Sequence, residues 1–456
     1  MSSTSVGGSI ISGSEATTSS GGLGAGIDVS TLVSAAMADQ EAELAVMQGQ
    51  QTDLSNQQTA LASFTTDVQA LQSAAFTLTD PAGPLTDVVA ASSNSTVLTA
   101  SATPGASSGT HSIVVTSLAT TSSAYSAELA TGSTPLATGT LSIQVGAATA
   151  VPITVDNTNN TLGGLAETIN NANIGVSASV ITDANGSRLA IVSNTSGAPG
   201  NLTVSSSAGL PAFTQAVAGA NAVLTVDGIP ISSTSNTVTG TIQGVTLNLA
   251  SPGAAVSISV GPDVTDQETA INNYVSAYNT VIGDLNTQFA INSTTGEQGP
   301  LATDSTIALT QTQILGSSAF AMSGNGAVNS LGDLGITMND DGTLTVNSSQ
   351  LEAALQSNPA AIQAFFQATT PGTFGTNLEN SLTTVADPVT GALTQDANGL
   401  AQTQTDLTSQ ISDFEDQLNT TQTALTAEYD QVDSTLQELP LLLSQITSQL
   451  SSLSGA

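Results

Sequence analysis

Asn339-Asp340-Asp341-Gly342 sets two carboxylates beside a glycine. That combination could serve a calcium loop, an acid–base pair or a tight turn. With Gly342 at the sixth place of an EF-hand loop, Thr337 takes the first and Ser348 the twelfth. Neither supplies the carboxylate a calcium loop needs there. Glycoside hydrolysis needs two carboxylates facing across a cleft, roughly 5–9.5 Å apart. Adjacent residues at a turn tip do not provide that. The turn fits best: "GITM" and "TLTV" alternate at the period of strands, and Asp341-Gly342 favours a tight turn between them. A helix is expected from about Leu351, with Asn347 or Ser348 as its cap and Glu352 in its first turn.

Other candidates are few, because the chain lacks the residues most chemistry uses. It has no cysteine, so no disulfide, thiolate metal site or thiol nucleophile. It has no lysine, so no P-loop or Schiff base. The single histidine, His111, is the only route to a Ser-His-Asp triad, and it lies in "GTHSIVVTS", an exposed strand start. "GGLGAGID" mimics a dinucleotide loop, but Ile27 stands where the third glycine belongs and no strand precedes it. The sequons at Asn94, Asn185, Asn194, Asn201 and Asn292 follow from a composition rich in Asn, Ser and Thr. Phe64, Phe289, Phe365, Phe366, Phe414 and Tyr429 lie on apolar faces of helical segments, as core or interface residues do. No catalytic residue, cofactor or metal ligand is expected.

Charge excludes further partners. One basic residue, Arg188, stands against 35 acids, for a net charge of −34. Phosphate backbones and anionic membrane surfaces need cations, so nucleic acid and membrane surfaces are excluded as partners. No run of 18 apolar residues predicts a membrane span. The opening "MSSTSVGGSIISGSEATTSSGG" lacks the basic and apolar regions of a cleaved signal peptide and is expected to be disordered.

The elements fall into three zones. In the first, Leu44, Met47, Leu54, Leu61, Phe64, Val68, Leu71, Ala75 and Leu78 recur at steps of three and four or their sums. The C-terminal zone does the same through Leu407, Ile411, Phe414, Leu418, Thr421, Leu425, Tyr429, Val432, Leu436 and Leu439, and resumes past Pro440 at Leu443, Ile446, Leu450 and Leu453. This is the heptad rhythm of a coiled coil, with one slip between Leu425 and Tyr429. Gln51, Gln58 and Gly49 weaken the first helix. Between the ends lie short β-branched runs such as "LSIQV" (141–145), "LAIVS" (189–193) and "VSISV" (256–260), with a helix at 162–171. Helical rhythm returns over 266–289 and about 351–356 and 359–366. The fold class is α+β: paired terminal coiled-coil helices form a leg or stalk, with inserted β-rich, sandwich-like head domains.

Several segments resemble flagellar hook-associated protein 2, the filament cap family. "AINNYVSAYNTVIGDLN" (270–286), "GPLATDSTIALTQTQ" (299–313) and "LGDLGITMNDDGTLTVNSSQLEAALQSNPAAIQAFF" (331–366) are similar to its C-terminal region. "LTVDGIPISSTSNTVTGTIQGVTLNL" (224–249) is similar to its head, and "GLGAGIDVSTLVSAAM" (22–37) to its N-terminal opening. "NTLGGLAETINNANIGVSASVITDANGSRLAIVSNTSG" (160–197) resembles a small repeat of flagellins and hook proteins. The near-absence of Lys and Arg departs from the family. The resemblance implies a terminal export segment at 1–43, a helical leg at 44–86 and 263–430, a head at 87–132 and 220–262, a second head domain at 133–219, and a coiled-coil segment at 431–456. It further implies an extracellular cap at the flagellar tip, exported by the flagellar type III apparatus without a cleaved signal. The partners it implies are copies of itself in a small ring (a homopentamer), flagellin, the hook-filament junction protein and an export chaperone. The heptad residues, from Leu44 to Leu71 and from Leu407 to Leu436, would be the assembly interface. Two alternatives stand beside it: another axial flagellar component, which should lack the "VDG…GVTL" and "LGIT…DGTL" segments, or a secreted carbohydrate-active β-protein using Asp340 and Asp341.

Overall fold

The computed structural model describes residues 27–367 and 370–453. The chain opens with one long helix, α1 (Val29–Thr79). Three strands follow, β1 (Val88–Ser92), β2 (Leu98–Ala102) and β3 (Gly109–Ser117). Next come β4 (Thr121–Ser126), β5 (Gly139–Val145), β6 (Val151–Val155), helix α2 (Leu162–Asn171), β7 (Val176–Thr182), β8 (Ser187–Ser196), β9 (Leu202–Ser206) and β10 (Phe213–Val217). The chain then returns through β11 (Ala222–Val226), β12 (Ile229–Ser233), β13 (Thr237–Ile242), β14 (Val245–Leu249) and β15 (Val256–Pro262). The rest is helical apart from one hairpin: α3 (Val264–Phe289), α4 (Ser305–Ser318), β16 (Ile336–Met338), β17 (Leu344–Val346), α5 (Ser348–Ser357), α6 (Pro359–Phe366), α7 (Phe374–Ala386) and α8 (Ala392–Leu453). No helix among the described residues is long and apolar enough to cross a membrane.

Two compact units divide this chain. The first holds residues up to Thr66, Thr287–Ala308 and everything from Ala386 on; the second holds Asp67–Asn286 and Leu309–Val385. The helical zone, expected as one piece ending at 430, is thus shared between the units. No break falls at 431, because α8 continues past it and through Pro440.

The second unit contains two β-cores. In the first, the antiparallel sheet β1-β15-β3-β11-β12 and the sheet β13-β14-β2 enclose Leu98, Ile113, Leu224, Leu247 and Ile258. Alternate residues of each strand are apolar, so each sheet has one face for this core. In the second, β10-β4-β8-β7 and β6-β5-β9 enclose Leu141, Ile143, Leu189 and Ile191, with Leu165 and Ile169 of α2 packed in. Thr161 caps α2 by accepting from the Gly164 N–H. The border between the cores lies near residue 120, not 132. Strand β4 pairs with β8 and β10, and the chain crosses between cores where Thr120 bridges Ala220. Alternation shows that 121–126 is a strand but not which sheet it joins.

The hairpin β16–β17 settles the opening quartet. The Gly342 N–H donates to the Asn339 carbonyl at 3.0 Å, and Gly342 has φ +83°. This is a type I turn over Asp340-Asp341 followed by a left-handed glycine. The Asp341 carboxylate accepts from the Thr343 N–H (3.0 Å) and hydroxyl (2.6 Å). Asn347 caps α5 by accepting from the Gln350 N–H, so the helix starts at Ser348, not near Leu351. Glu352 therefore falls beyond its first turn. Pro359 opens α6, where its missing N–H costs nothing.

Helix α3 grips this hairpin. Asn279 exchanges two hydrogen bonds with the Leu344 backbone, at 2.8 and 2.6 Å. The Tyr278 hydroxyl donates to the Gly342 carbonyl (3.1 Å) and the Asn286 amide to the Asp341 carbonyl (2.9 Å). Phe365 and Phe366 of α6 and Phe374 of α7 are fully buried in one aromatic cluster with ring centroids 4.7–5.5 Å apart. Replacing Asn279 by Ala strands a backbone donor and acceptor at Leu344. Urea melts should show a loss of about 1–3 kcal/mol. Asp340→Ala, at the exposed tip, should change stability by about 0.5 kcal/mol or less.

Candidate assembly interface

The first unit is organised by α1 against α8. Asp28 starts α1: its carboxylate accepts from the Thr31 N–H (3.1 Å) and hydroxyl (2.7 Å). These bonds, the Thr31 hydroxyl first, stabilise the ionised form and hold its pKa below the ordinary aspartate value. The helices run antiparallel, as three cross-links show. The Ile27 N–H donates to Asp433 (2.7 Å), the Gln48 amide to Glu415 (3.4 Å) and the Gln51 amide to Thr408 (3.0 Å). Between these, Val33, Met37 and Leu418 form a small core, with Val29, Leu44, Phe414, Leu425 and Tyr429 packed against it. Gln51, a polar seam residue, is satisfied by its bond to Thr408.

The heptad residues are distributed as follows. Leu54, Leu61 and Phe64 are buried in the first unit, with Leu44 and Met47 half-buried. Val68 and Leu71 are fully buried in the second unit. On α8, Ile411 and Leu418 are buried, and Leu407, Phe414, Leu425 and Leu436 are half-buried. Val432 is different: it is 45% exposed. The four-residue step from Leu425 to Tyr429 is followed by another, which puts Asp433 at the seam. There Asp433 meets the Ile27 N–H, which needs an acceptor.

Two surfaces of this unit are open. A groove of about 500 Å³ runs beside Leu54 and Leu407, edged by Asp53 and Asp406. Beyond Asp433, Leu441, Leu442, Leu443, Ile446 and Leu450 of α8 are all exposed, Leu441 by 67%. The expected export segment before Ile27, with most of the "GLGAGID" opening, lies outside the described residues, as does the side chain of Leu453.

Comparison with known proteins follows this geometry closely. The model of the flagellar hook-associated protein 2 N-terminus matches residues 25–122, and that of its C-terminus matches residues 219–440. The B-type flagellar hook-associated protein 2 of Pseudomonas aeruginosa is 32% identical over 401 residues, 80% of this chain and 83% of that one. This chain belongs to the flagellar hook-associated protein 2 family. Flagellar hook-associated protein 2 of Escherichia coli is 27% identical and aligns with 95% of this chain and 98% of its own length. The crystal structure of three domains of the Escherichia coli flagellar cap protein superposes with a TM-score of 0.58 at 26% identity, covering 75% of this chain and 99% of that one. The N-terminal match ends at 122, where β4 enters the second β-core, and the C-terminal match begins at 219, where the chain leaves it.

Within this family member, the "VDG" segment forms a two-residue turn between β11 and β12. Asp227 (φ +51°) and Gly228 (φ +80°) both adopt the left-handed region. The Asp227 carboxylate accepts from the Ser112 N–H and faces His111 Nδ1, each at 2.8 Å. The lone histidine thus fastens a turn to β3. Sequence reasoning missed this pair because its members, one on a strand and one in a turn, lie 116 residues apart.

The α1–α8 core is small, so single changes should register. Leu418→Asn should speed amide hydrogen exchange across residues 407–429, with the two β-cores unaffected. Val432→Asn, on the exposed side of the same helix, should leave exchange near the wild-type rate.

Proposed function

We propose that this chain caps the distal end of the bacterial flagellar filament, where it retains exported flagellin and promotes its folding and polymerisation. The observation that carries this reading is the family match at both ends of the chain, joined by the likeness to the Escherichia coli cap protein. The work is done by shape and packing, with no reaction involved. In support, Asp341 spends its carboxylate on its own turn, and cysteine and lysine chemistry are absent from the chain.

The copies assemble as a small ring, a homopentamer, through the heptad residues of α1 and α8. Flagellin is the client, the hook-filament junction protein the first platform, and an export chaperone the escort inside the cell. The chain leaves through the flagellar type III apparatus. A chain free of disulfides suits passage in an unfolded state.

Charge shapes this assembly. Asp406, Asp413, Glu415, Asp416, Glu428 and Asp430 lie along α8 with no lysine or arginine in the whole unit. A coiled coil ordinarily gains from opposite charges beside its seam. Here copies brought together repel, so assembly should strengthen at mildly acid pH and at raised salt. Sedimentation across a pH and salt series measures this, and a flat oligomer mass would contradict it. For the function itself, deletion of the gene should leave short or absent filaments and abundant monomeric flagellin in the medium. Normal filaments and motility in a strain with no second cap gene would overturn the assignment.

A further inference from the structure

The groove beside Leu54 and Leu407 has an apolar floor and acidic rims. Leu54 is buried and Leu407 half-buried. Asp53 of α1 stands on one rim and Asp406 of α8 on the other. The Gln402 amide donates to Asp406 at 2.8 Å, and the Asp53 carboxylate meets no donor among the described residues.

The same side of the helix pair continues towards the start of α1. Asp39, Val46 and Asp53 follow one another at seven-residue steps, which keeps them on one stripe of α1. Asp406 and Asp413 do the same on α8. Gln51 is bonded to Thr408, so the antiparallel run sets Val46 level with Asp413. Val46 is 61% exposed between the two acids of its stripe. This side is therefore an apolar strip with carboxylates on both banks.

A second copy of the chain does not fit such a strip. It has no lysine, and its one arginine, Arg188, lies on β8 and is paired with Glu128. Its one histidine, His111, is paired with Asp227. Its own α1 and α8 would bring further carboxylates to the same place. Like charges facing each other across a contact oppose it. The complement of an apolar strip between acidic banks is an amphipathic helix whose apolar stripe is flanked by lysine or arginine.

We propose that this side of the α1–α8 pair is a docking groove for a basic amphipathic helix of a different protein, laid as a third helix over Val46, Leu54 and Leu407. The groove lies within the assembly interface proposed above, rests on that reading, and names the partner for one side of it. The apolar strip supplies affinity. The carboxylate banks select a cationic partner and turn away further copies.

The probe is a fluorescein-labelled synthetic helix of about three heptads, with leucine along one stripe and lysine on both flanks. Fluorescence anisotropy follows its titration with the full chain in about 0.15 M sodium chloride. It should bind at least about tenfold more tightly than a twin with glutamine for lysine, and than a twin with alanine for leucine. Asp53→Asn/Asp406→Asn should weaken binding about fivefold. Glu41→Gln/Asp416→Asn removes as much charge from exposed positions of the same helices that do not line the groove, and should change binding by less than about twofold. Bound peptide should slow amide hydrogen exchange within residues 50–57 and 403–410, which line the groove. Equal binding by either twin, equal losses in the two variants, or protection confined to other segments overturns the groove. Each of those results leaves the gene-deletion outcome untouched, so the groove and the cap assignment are judged separately.

Discussion

Every acid in this protein has to be accommodated almost without cations, and much of the local structure follows from that constraint. With Arg188 committed to Glu128, the remaining carboxylates turn to neutral donors. The recurring solution is a threonine two or three residues downstream. Asp28 is held by Thr31, Asp156 by Thr158, Asp341 by Thr343 and Asp387 by Thr390, in each case through a hydroxyl and a backbone N–H. Each of these acids is more acidic than an ordinary aspartate for that reason. The same bonds define helix starts and turns, so charge neutralisation and backbone geometry are served by the same few residues.

The long helices show the same economy of charge. Instead of lysine–glutamate pairs, α1 and α8 carry threonines and serines whose hydroxyls bond back to the carbonyl four residues earlier, as at Thr52, Thr59, Thr66, Thr405, Thr420 and Thr426. Such bonds keep a helix soluble but add little to its stability. The helices therefore depend on their seam, and the core cluster shared by α1 and α8 is small, with Val33, Met37 and Leu418 as its buried members. A pairing this thin gains from any further surface laid against it.

Much of this was legible in the residues, and the exceptions have physical reasons. The heptad spacing of Leu44 to Leu78 and of Leu407 to Leu425 announces the two long helices, and "LSIQV" or "VSISV" announces strands, because burial on one face imposes a period. Helix α2 is readable to the residue, from Leu162 to Asn171. Val432 falls outside the α1–α8 seam because two successive four-residue steps rotate that seam onto Asp433, and a polar seam residue leaves no hydrophobic trace. Helices α4 and α7 went unseen, since "STIALTQTQILGSS" and "FGTNLENSLTTVA" carry glycine and hydroxyl residues that weaken the helical signal. The start of α5 shifted because Asn347, rather than the first apolar residue, decides where a helix begins. The contacts Asn279–Leu344 and His111–Asp227 join distant segments, and no local pattern encodes them.

The crossing at Thr120 and Ala220 has a consequence for how such proteins diversify. The two residues form an antiparallel bridge, so the entry and exit of the second β-core stand about one strand spacing apart, roughly 5 Å. A gap that small can be closed by a short turn or opened to admit a domain of any length, without altering the register of β3 or β11. The host sandwich is thus a socket: what it holds can be lost, enlarged or exchanged between lineages while the body around it keeps its architecture.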